Sequence, residues 1–342
     1  MKIAICKCGN GFEAGWVNKC ERDQLEYIFI NPYDNDIIHQ LRVEGISHVL
    51  WHWHHSSPKD WLFARQLIVS MQQMGVKVFP DIRTCWHFDD KLGQKYILEA
   101  SDLPIAQTWM FYSAEDAISW ARQTTWPKVF KLRAGAGSKN VRLIRSYLQA
   151  QKYINKMFGA GFPSANVGAQ LAITAKVVRN SPVAMIKRLY RLPHYIAGIL
   201  ARRTLPRQKG YCLFQEFIPG NLFDTRIIII GKKAIGIRRK VRENDFRASG
   251  SGMLDYCPDK ISLDCVRIAF EAAMKLRTQS LALDFVMAPD GTYRIIEISY
   301  AYTASAYYKC PGYWDAGLQW HLANVRPEEW IIDDLLSNDV LH

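Results

Sequence analysis

Short apolar runs alternate with segments of helical spacing over the first eighty residues. KIAIC (2–6), LEYIFI (25–30), SHVLWHW (47–53) and VKVFP (76–80) read as strands, and Trp61 to Met74 repeats its apolar positions at helical intervals. That alternation predicts a small parallel sheet with helices on its faces. A second unit begins near Phe88. Asp90-Lys91 opens a helix through LGQKYILEA that stops before Leu103-Pro104, two short α/β elements follow, and the strand PKVFKL runs into the loop RAGAGSKN. A third unit starts at YCLFQEFIPG and continues through the strands DTRIIIIG and KAIGIRRK. The turn RASGSG, the helix CVRIAFEAAMKL and the paired strands LALDFVM and YRIIEIS complete it. The expected fold class is α/β with α+β lobes, divided as 1–87, 88–212 and 213–342, and no internal repeat or low-complexity linker interrupts it.

Composition sharpens this picture in two respects. With 49% hydrophobic residues the chain has ample material for a packed core, and no run approaches the roughly 18 apolar residues of a membrane span. The first ten residues, MKIAICKCGN, are too short an apolar stretch for a secretory leader, and eight irregularly spaced cysteines suit free thiols. A cytoplasmic protein is expected. The net charge of +12 is unevenly spread: residues 117–215 hold 18 Lys and Arg and no acid, whereas the remainder carries 26 basic residues against all 32 acids. The stretch 176–210 alone has nine basic residues, in an amphipathic pattern around KRLYRLPHYIAGILARR. Such a pattern suits an anionic membrane surface or polymer, or else a helix packed on its own domain with a solvated basic side.

Several familiar chemistries are excluded by spacing. Gly9-Asn10-Gly11 lacks the third glycine of a dinucleotide fingerprint, and no Walker A sequence is present. The cluster Trp51-His52-Trp53-His54-His55 matches neither a zinc ribbon nor H-E-x-x-H, and reads as a polar loop at the carboxyl end of a strand. Three patterns remain. Lys131 is delivered by a strand into a glycine-serine loop whose amides can approach a phosphate. Asp284 and Glu297 lie 13 positions apart on strands joined by Pro289-Asp290-Gly291, so their carboxylates can stand side by side for a hard cation. Asp224 and Arg226 share one strand face, with Arg238 and Arg239 on the next strand, as oxyanion recognition requires.

In this order the three patterns resemble the ATP-grasp superfamily, similar to ribosomal-protein glutamate ligases, glutathione synthetases and D-alanine–D-alanine ligases. The resemblance runs from about Phe88 to Ser299, with the preceding unit matching the family's N-terminal domain. It implies ATP and Mg²⁺ as cofactors and a site set carried over residue by residue. Lys91 and Lys131 match phosphate-binding lysines, and Gly135, Gly137 and Ser138 the flap loop. Gln215, Glu216, Phe217 and Ile218 match the hinge that receives adenine, and Asp224 the acid near the ribose. Arg226 and Arg239 match the groups facing the transferred phosphate and substrate, Arg247 is expected to join them on the acyl phosphate, and Asp284 and Glu297 match the metal ligands. Ser299 departs from the family pattern, standing where a third ligand, asparagine, is usual, and its hydroxyl is expected to ligate the metal with a shorter reach. NDFRASGSG, EISY and CPGYWD also resemble a bacterial branch linked to surface polysaccharides.

The resemblance implies an ATP- and Mg²⁺-dependent carboxylate–amine ligase working through an acyl phosphate, with a carboxylate and an amine as substrates. A uronic-acid or surface-polysaccharide carboxylate would suit the basic stretch 176–210 and peripheral contact at the inner membrane face. Two other classes stay open: a nucleic-acid- or polyanion-binding protein, which leaves Asp284 and Glu297 unexplained, and a non-catalytic ATP-binding scaffold, which the Ser299 departure favours.

Overall fold

The structure, a computed structural model, describes residues 1–7, 12–54, 57–135, 140–163, 205–242, 245–247 and 252–337. Gly137, Ser138 and 176–204 lie outside the described residues. Two compact units are present, one formed by Met1–His54, Lys59–Ala106 and Ile218–His342, the other by Gln107–Phe217 with His55–Pro58.

The first unit opens with a parallel sheet of β1 (Lys2–Cys6), β2 (Glu26–Ile30), β3 (His48–Leu50) and β4 (Lys77–Phe79), ordered β2-β1-β3-β4. Helices α1 (Glu13–Arg22), α2 (Ile37–Val43) and α3 (Pro58–Gln73) connect its strands, as parallel pairing demands. Ile3, Ala4, Ile5 and Cys6 are all buried, which is why β1 reads as a continuous apolar run rather than an alternating one. The Trp51–Trp53 segment corrects the expectation of a polar loop. Trp51, His52 and Trp53 are 1%, 3% and 0% exposed, packed with Phe12, Phe79, Phe88 and Tyr300. Two short helices follow, α4 (Ile82–Cys85) and α5 (Lys91–Ala100), capped by the side chains of Asp81 and Asp90.

The same unit carries a seven-stranded sheet. Its path runs from β13 (Tyr293–Ser299) through β12 (Ser280–Met287), β9 (Phe223–Ile230), β10 (Lys233–Lys240) and β14 (Gly312–Asp315) to β15 (Trp320–Leu322). The short β11 (Leu254–Asp255) pairs with β10. Helix α8 (Leu263–Leu276) covers one face, where Ile227 and Ile229 meet Ala269 and Ala272. On the opposite face Ile228, Ile230, Ile235 and Ile237 belong to the core that contains β1 and β3. Both faces of β9 are therefore apolar toward its end, and the four consecutive isoleucines follow from that. Helix α9 (Pro327–Leu336) closes the chain's described part.

The second unit is a sheet ordered β5-β8-β6-β7, with β5 (Thr108–Phe111), β6 (Lys128–Lys131), β7 (Val141–Ile144) and β8 (Cys212–Glu216). Helices α6 (Ala114–Gln123) and α7 (Tyr147–Phe158) bury Ala117, Ala121, Ala150 and Ile154 with Phe130 and Phe214. Both helices start at serine caps, Ser113 and Ser146.

This division differs from the expected joins at 87/88 and 212/213. Residues 88–106 stay with the first unit because Leu98 and Leu103 are buried with Ile295, and Ile295 exchanges backbone hydrogen bonds with Pro104 and Ala106 at 2.8 and 2.9 Å. The hinge strand β8 stays with the second because β5 and β6 pair on either side of it.

Candidate active site

Four strands of the large sheet present charged groups on one face. Arg226 on β9 stands opposite Asp284 on β12, and Asp284 stands opposite Glu297 on β13, so the three form a row across the sheet. Asp224 on β9 is the register partner of Arg239 on β10. A register shift between Asp284 and Phe285 makes this row possible. Phe285 pairs with Ile295, whereas Asp284 pairs with Glu297, leaving Ile296 as an extra residue in β13. In an unbroken strand Ile295 and Glu297 would share a face; the bulge keeps Ile295 in the core and turns Glu297 toward Asp284.

The row is densely bonded. Arg226 donates to both oxygens of Asp284 at 2.5 and 2.7 Å, and Arg239 lies 2.7 Å from Asp284 Oδ2. Arg239 also donates to both oxygens of Asp224 at 2.6 Å. Lys91, at the start of α5, is buried, and its ammonium lies 3.1 Å from Glu297 Oε1. Burial opposes charge on Asp284, yet the two guanidinium groups outweigh it and hold its carboxyl well below the usual carboxylate range. Burial pushes Asp224 the other way. Lys91 stays charged despite its burial, because Glu297 and Asp89 raise it. Tyr307, buried on a short helical turn (Ala304–Tyr307), acts electrostatically on Arg226, a neighbour the sequence did not reveal. Gln94, also missed, accepts from the backbone N–H of Ile298.

Asp224, matched to an acid near the ribose, spends both oxygens on Arg239 and is 5% exposed. Ser299 donates to the carbonyl of Ala301 and accepts from its N–H, a local turn that occupies its hydroxyl. Arg247 donates to both oxygens of Asp245, two positions earlier. In the second unit Lys131 is buried on β6, between Leu213 and Val141 of the flanking strands. Gly135 has φ +122°, a conformation reserved for glycine, and the Asn140 side chain donates to the carbonyl of Ala134. Gln215 donates to Thr108, and the carboxylate of Glu216 accepts from the backbone of Gln107. Phe217 and Ile218 are half-buried. His52 lies outside these groups. Its ring stacks on Phe12 at 4.1 Å, and neither ring nitrogen has a hydrogen-bond partner.

Among the described residues no group of three or more His, Cys, Asp or Glu side chains is gathered for a metal. Asp284 and Glu297 are hard oxygen donors directly opposite one another, the donor type that Mg²⁺ takes, and both Asp284 oxygens are also held by Arg226 and Arg239. Glu297 is the more open of the two, its side chain 36% exposed against 4% for Asp284.

No protein-family model and no curated protein matches the chain. Solved structures do. The RimK domain ATP-grasp protein of Sphaerobacter thermophilus superposes with a TM-score of 0.55 at 12% identity, covering 98% of this chain and 100% of that one. D-alanine–D-alanine ligase of Bacillus anthracis also gives 0.55 at 12% identity, over 98% and 97% of the two chains. The biotin carboxylase domain of Hydrogenobacter thermophilus 2-oxoglutarate carboxylase, solved with MgADP and bicarbonate, gives 0.59 at 11% identity over 98% and 70%. These superpositions, each spanning 98% of this chain, show that it has the ATP-grasp fold.

Proposed function

We propose that the protein is an ATP- and Mg²⁺-dependent carboxylate–amine ligase. The observation that carries this reading is the row Arg226–Asp284–Glu297, with Arg239 and Lys91 bonded to its two carboxylates. Asp284 and Glu297 would hold Mg²⁺, which supplies charge compensation to the phosphoryl group in transfer. Lys131 and the glycine loop that follows would bind the polyphosphate, and Gln215 to Ile218 the base. The γ-phosphate passes to a carboxylate oxygen of the substrate and ADP leaves. An amine then attacks the acyl phosphate, expelling inorganic phosphate as the amide forms. Arg226 and Arg239 offer forked donors to the acyl phosphate and to the oxyanion that develops during attack. This chemistry asks the protein for positioning and neutralisation and needs no nucleophilic side chain.

The substrate carboxylate is proposed to be of the uronic-acid or surface-polysaccharide type. Its support is the sequence 176–210, with nine basic residues and no acid. Among the described residues no helix is long and apolar enough to cross a membrane. One observation favours the second reading, a nucleotide-binding scaffold without turnover: the Ser299 hydroxyl is spent on its own backbone. An ADP-release assay with panels of uronic acids and amino acids, hydroxylamine trapping the acyl phosphate, separates the readings. Turnover in wild type that Glu297→Gln and Lys131→Ala abolish supports the ligase. Mg²⁺-dependent binding of AMPPNP without turnover on any acid supports the scaffold.

A further inference from the structure

We infer that Gln94 is a positioning residue for Glu297: from the second turn of α5 it fixes the β13 backbone between Glu297 and Ser299. The inference rests on the reading of Asp284 and Glu297 as the pair that holds magnesium.

Helix α5 grips β13 at two successive points. Lys91, in its first turn, bonds the Glu297 side chain at 3.1 Å. Gln94 follows three residues later, on the same side of the helix, and is 4% exposed. Its Oε1 accepts the N–H of Ile298 at 3.3 Å, while its Nε2 donates to the carbonyl of His87 at 3.1 Å. The carboxamide is thus held at both ends and cannot turn without leaving a buried polar group unpaired.

The place of this contact matters. β13 is the outer strand of the sheet path, and Ile298 is only 1% exposed. A buried N–H on the outer side of such a strand has no neighbouring strand to receive it, and Gln94 supplies the acceptor. The contact also falls two residues past the extra residue Ile296, where the ladder to β12 is irregular. A bulge re-aims the side chains beyond it, and the angle it sets is only as firm as the strand's other attachments. Lys91 acts on the carboxylate itself and Gln94 on the backbone that carries it. Groups that orient a metal ligand typically cost about 10–100-fold in metal affinity when removed.

The test measures binding rather than turnover. AMPPNP affinity is titrated against Mg²⁺, and separately in EDTA, for wild type, Gln94→Met, Gln94→Glu and Leu98→Val. Met matches the volume of Gln without either hydrogen bond. Glu keeps the oxygen that faces Ile298. Leu98, one turn further along and 1% exposed, serves as a core control that destabilises the same helix. Gln94→Met is expected to raise the Mg²⁺ concentration for half-maximal tightening about tenfold. Its affinity for AMPPNP in EDTA should stay at the wild-type value. Gln94→Glu, which keeps the acceptor for Ile298 but turns a carboxylate oxygen on the His87 carbonyl, should recover only part of the shift, and Leu98→Val should lower the melting temperature without moving the Mg²⁺ midpoint. A wild-type midpoint in Gln94→Met, or an equal shift in Leu98→Val, overturns the inference and leaves Gln94 a structural residue. Failure of the underlying reading is visible before any variant is made, as wild-type AMPPNP affinity that ignores Mg²⁺; the inference then falls with it. If Gln94→Met does not fold, amide exchange of wild-type Ile298 decides. Slowing on addition of Mg·AMPPNP supports the inference, and an unchanged rate overturns it.

Discussion

Arg226 and Asp284 face each other across β9 and β12 through two parallel hydrogen bonds of 2.5 and 2.7 Å, in a setting where Asp284 is only 3% exposed. A buried ion pair of this kind reports more on position than on net stability, since burial costs offset much of the attraction. Removing one partner is different. Arg226→Met leaves the Asp284 carboxylate with Arg239, which is already committed to Asp224, and should cost about 3–5 kcal/mol in urea unfolding. The double variant Arg226→Met/Asp284→Leu removes the stranded charge and should recover most of that loss. Additive destabilisation in the double variant would show that the pair is not energetically coupled.

Much of this architecture is legible in the sequence, and the parts that are not share a cause. The apolar runs KIAIC and RIIII carry their burial on both faces in their own composition. Asp284 and Glu297 could be paired because a hairpin brings nearby strands into register. The extra residue Ile296 was not visible, because a bulge leaves no composition signal among isoleucines. Gln94 and Tyr307 were missed for a different reason. Each acts on a partner far along the chain, Ile298 lying 204 positions from Gln94. Neither residue type stands out locally from ordinary surface Gln or Tyr. The cluster Trp51–Trp53 misled because histidine suggests a polar loop, whereas His52 is stacked into an aromatic core.

Ser299→Asn tests the departure from the family pattern. The Ser299 hydroxyl donates to the Ala301 carbonyl and accepts its N–H, so it is held by its own turn. An Asn carboxamide can accept the same N–H, as in an Asx turn, and reaches one atom further. The expected result is Mg²⁺-dependent AMPPNP binding that is equal to or tighter than wild type. A fall in activity at unchanged AMPPNP affinity would instead mean that Ser299 leaves room for the substrate.

His52 makes acid stability a measurable property of the N-terminal sheet. Burial, with a smaller contribution from His54, pushes its imidazole down from 6.5 to about 3. The folded protein therefore holds this group neutral while the unfolded chain protonates it. Stability is fully present above pH 6.5 and is lost as pH falls toward 3, by about 1.4 kcal/mol per pH unit for one proton. His52→Phe keeps the stack on Phe12 and removes two unpartnered nitrogens. It should match or exceed wild-type stability at pH 7 and lose less between pH 6 and about 4. An acid profile identical to wild type would show that His52 does not titrate with unfolding.

Asp334 should produce a pH effect of the opposite sign. Its carboxylate lies against the β9–β10 turn, where a Cβ on Gly231 would collide with Oδ1, and Gly231 adopts φ +49°. Burial raises its pKa from 3.8 to about 6, and Lys232 and Lys233 only partly oppose this. For an acid whose folded pKa lies above the unfolded one, the native state binds the proton more tightly. The resulting stabilisation is present below pH 3.8 and is lost as pH rises through 6, so at pH 7 the ionised group carries the full penalty. Because the side chain keeps partial access to solvent, the penalty is discounted to about 1–2 kcal/mol. Asp334→Asn has the same shape without the charge and should be more stable than wild type by about that amount at pH 7.5, measured by urea unfolding. The difference should shrink toward zero near pH 4, where wild-type Asp334 is protonated in the folded state. A gain that is constant across this range would locate the effect in packing against Gly231 rather than in ionisation.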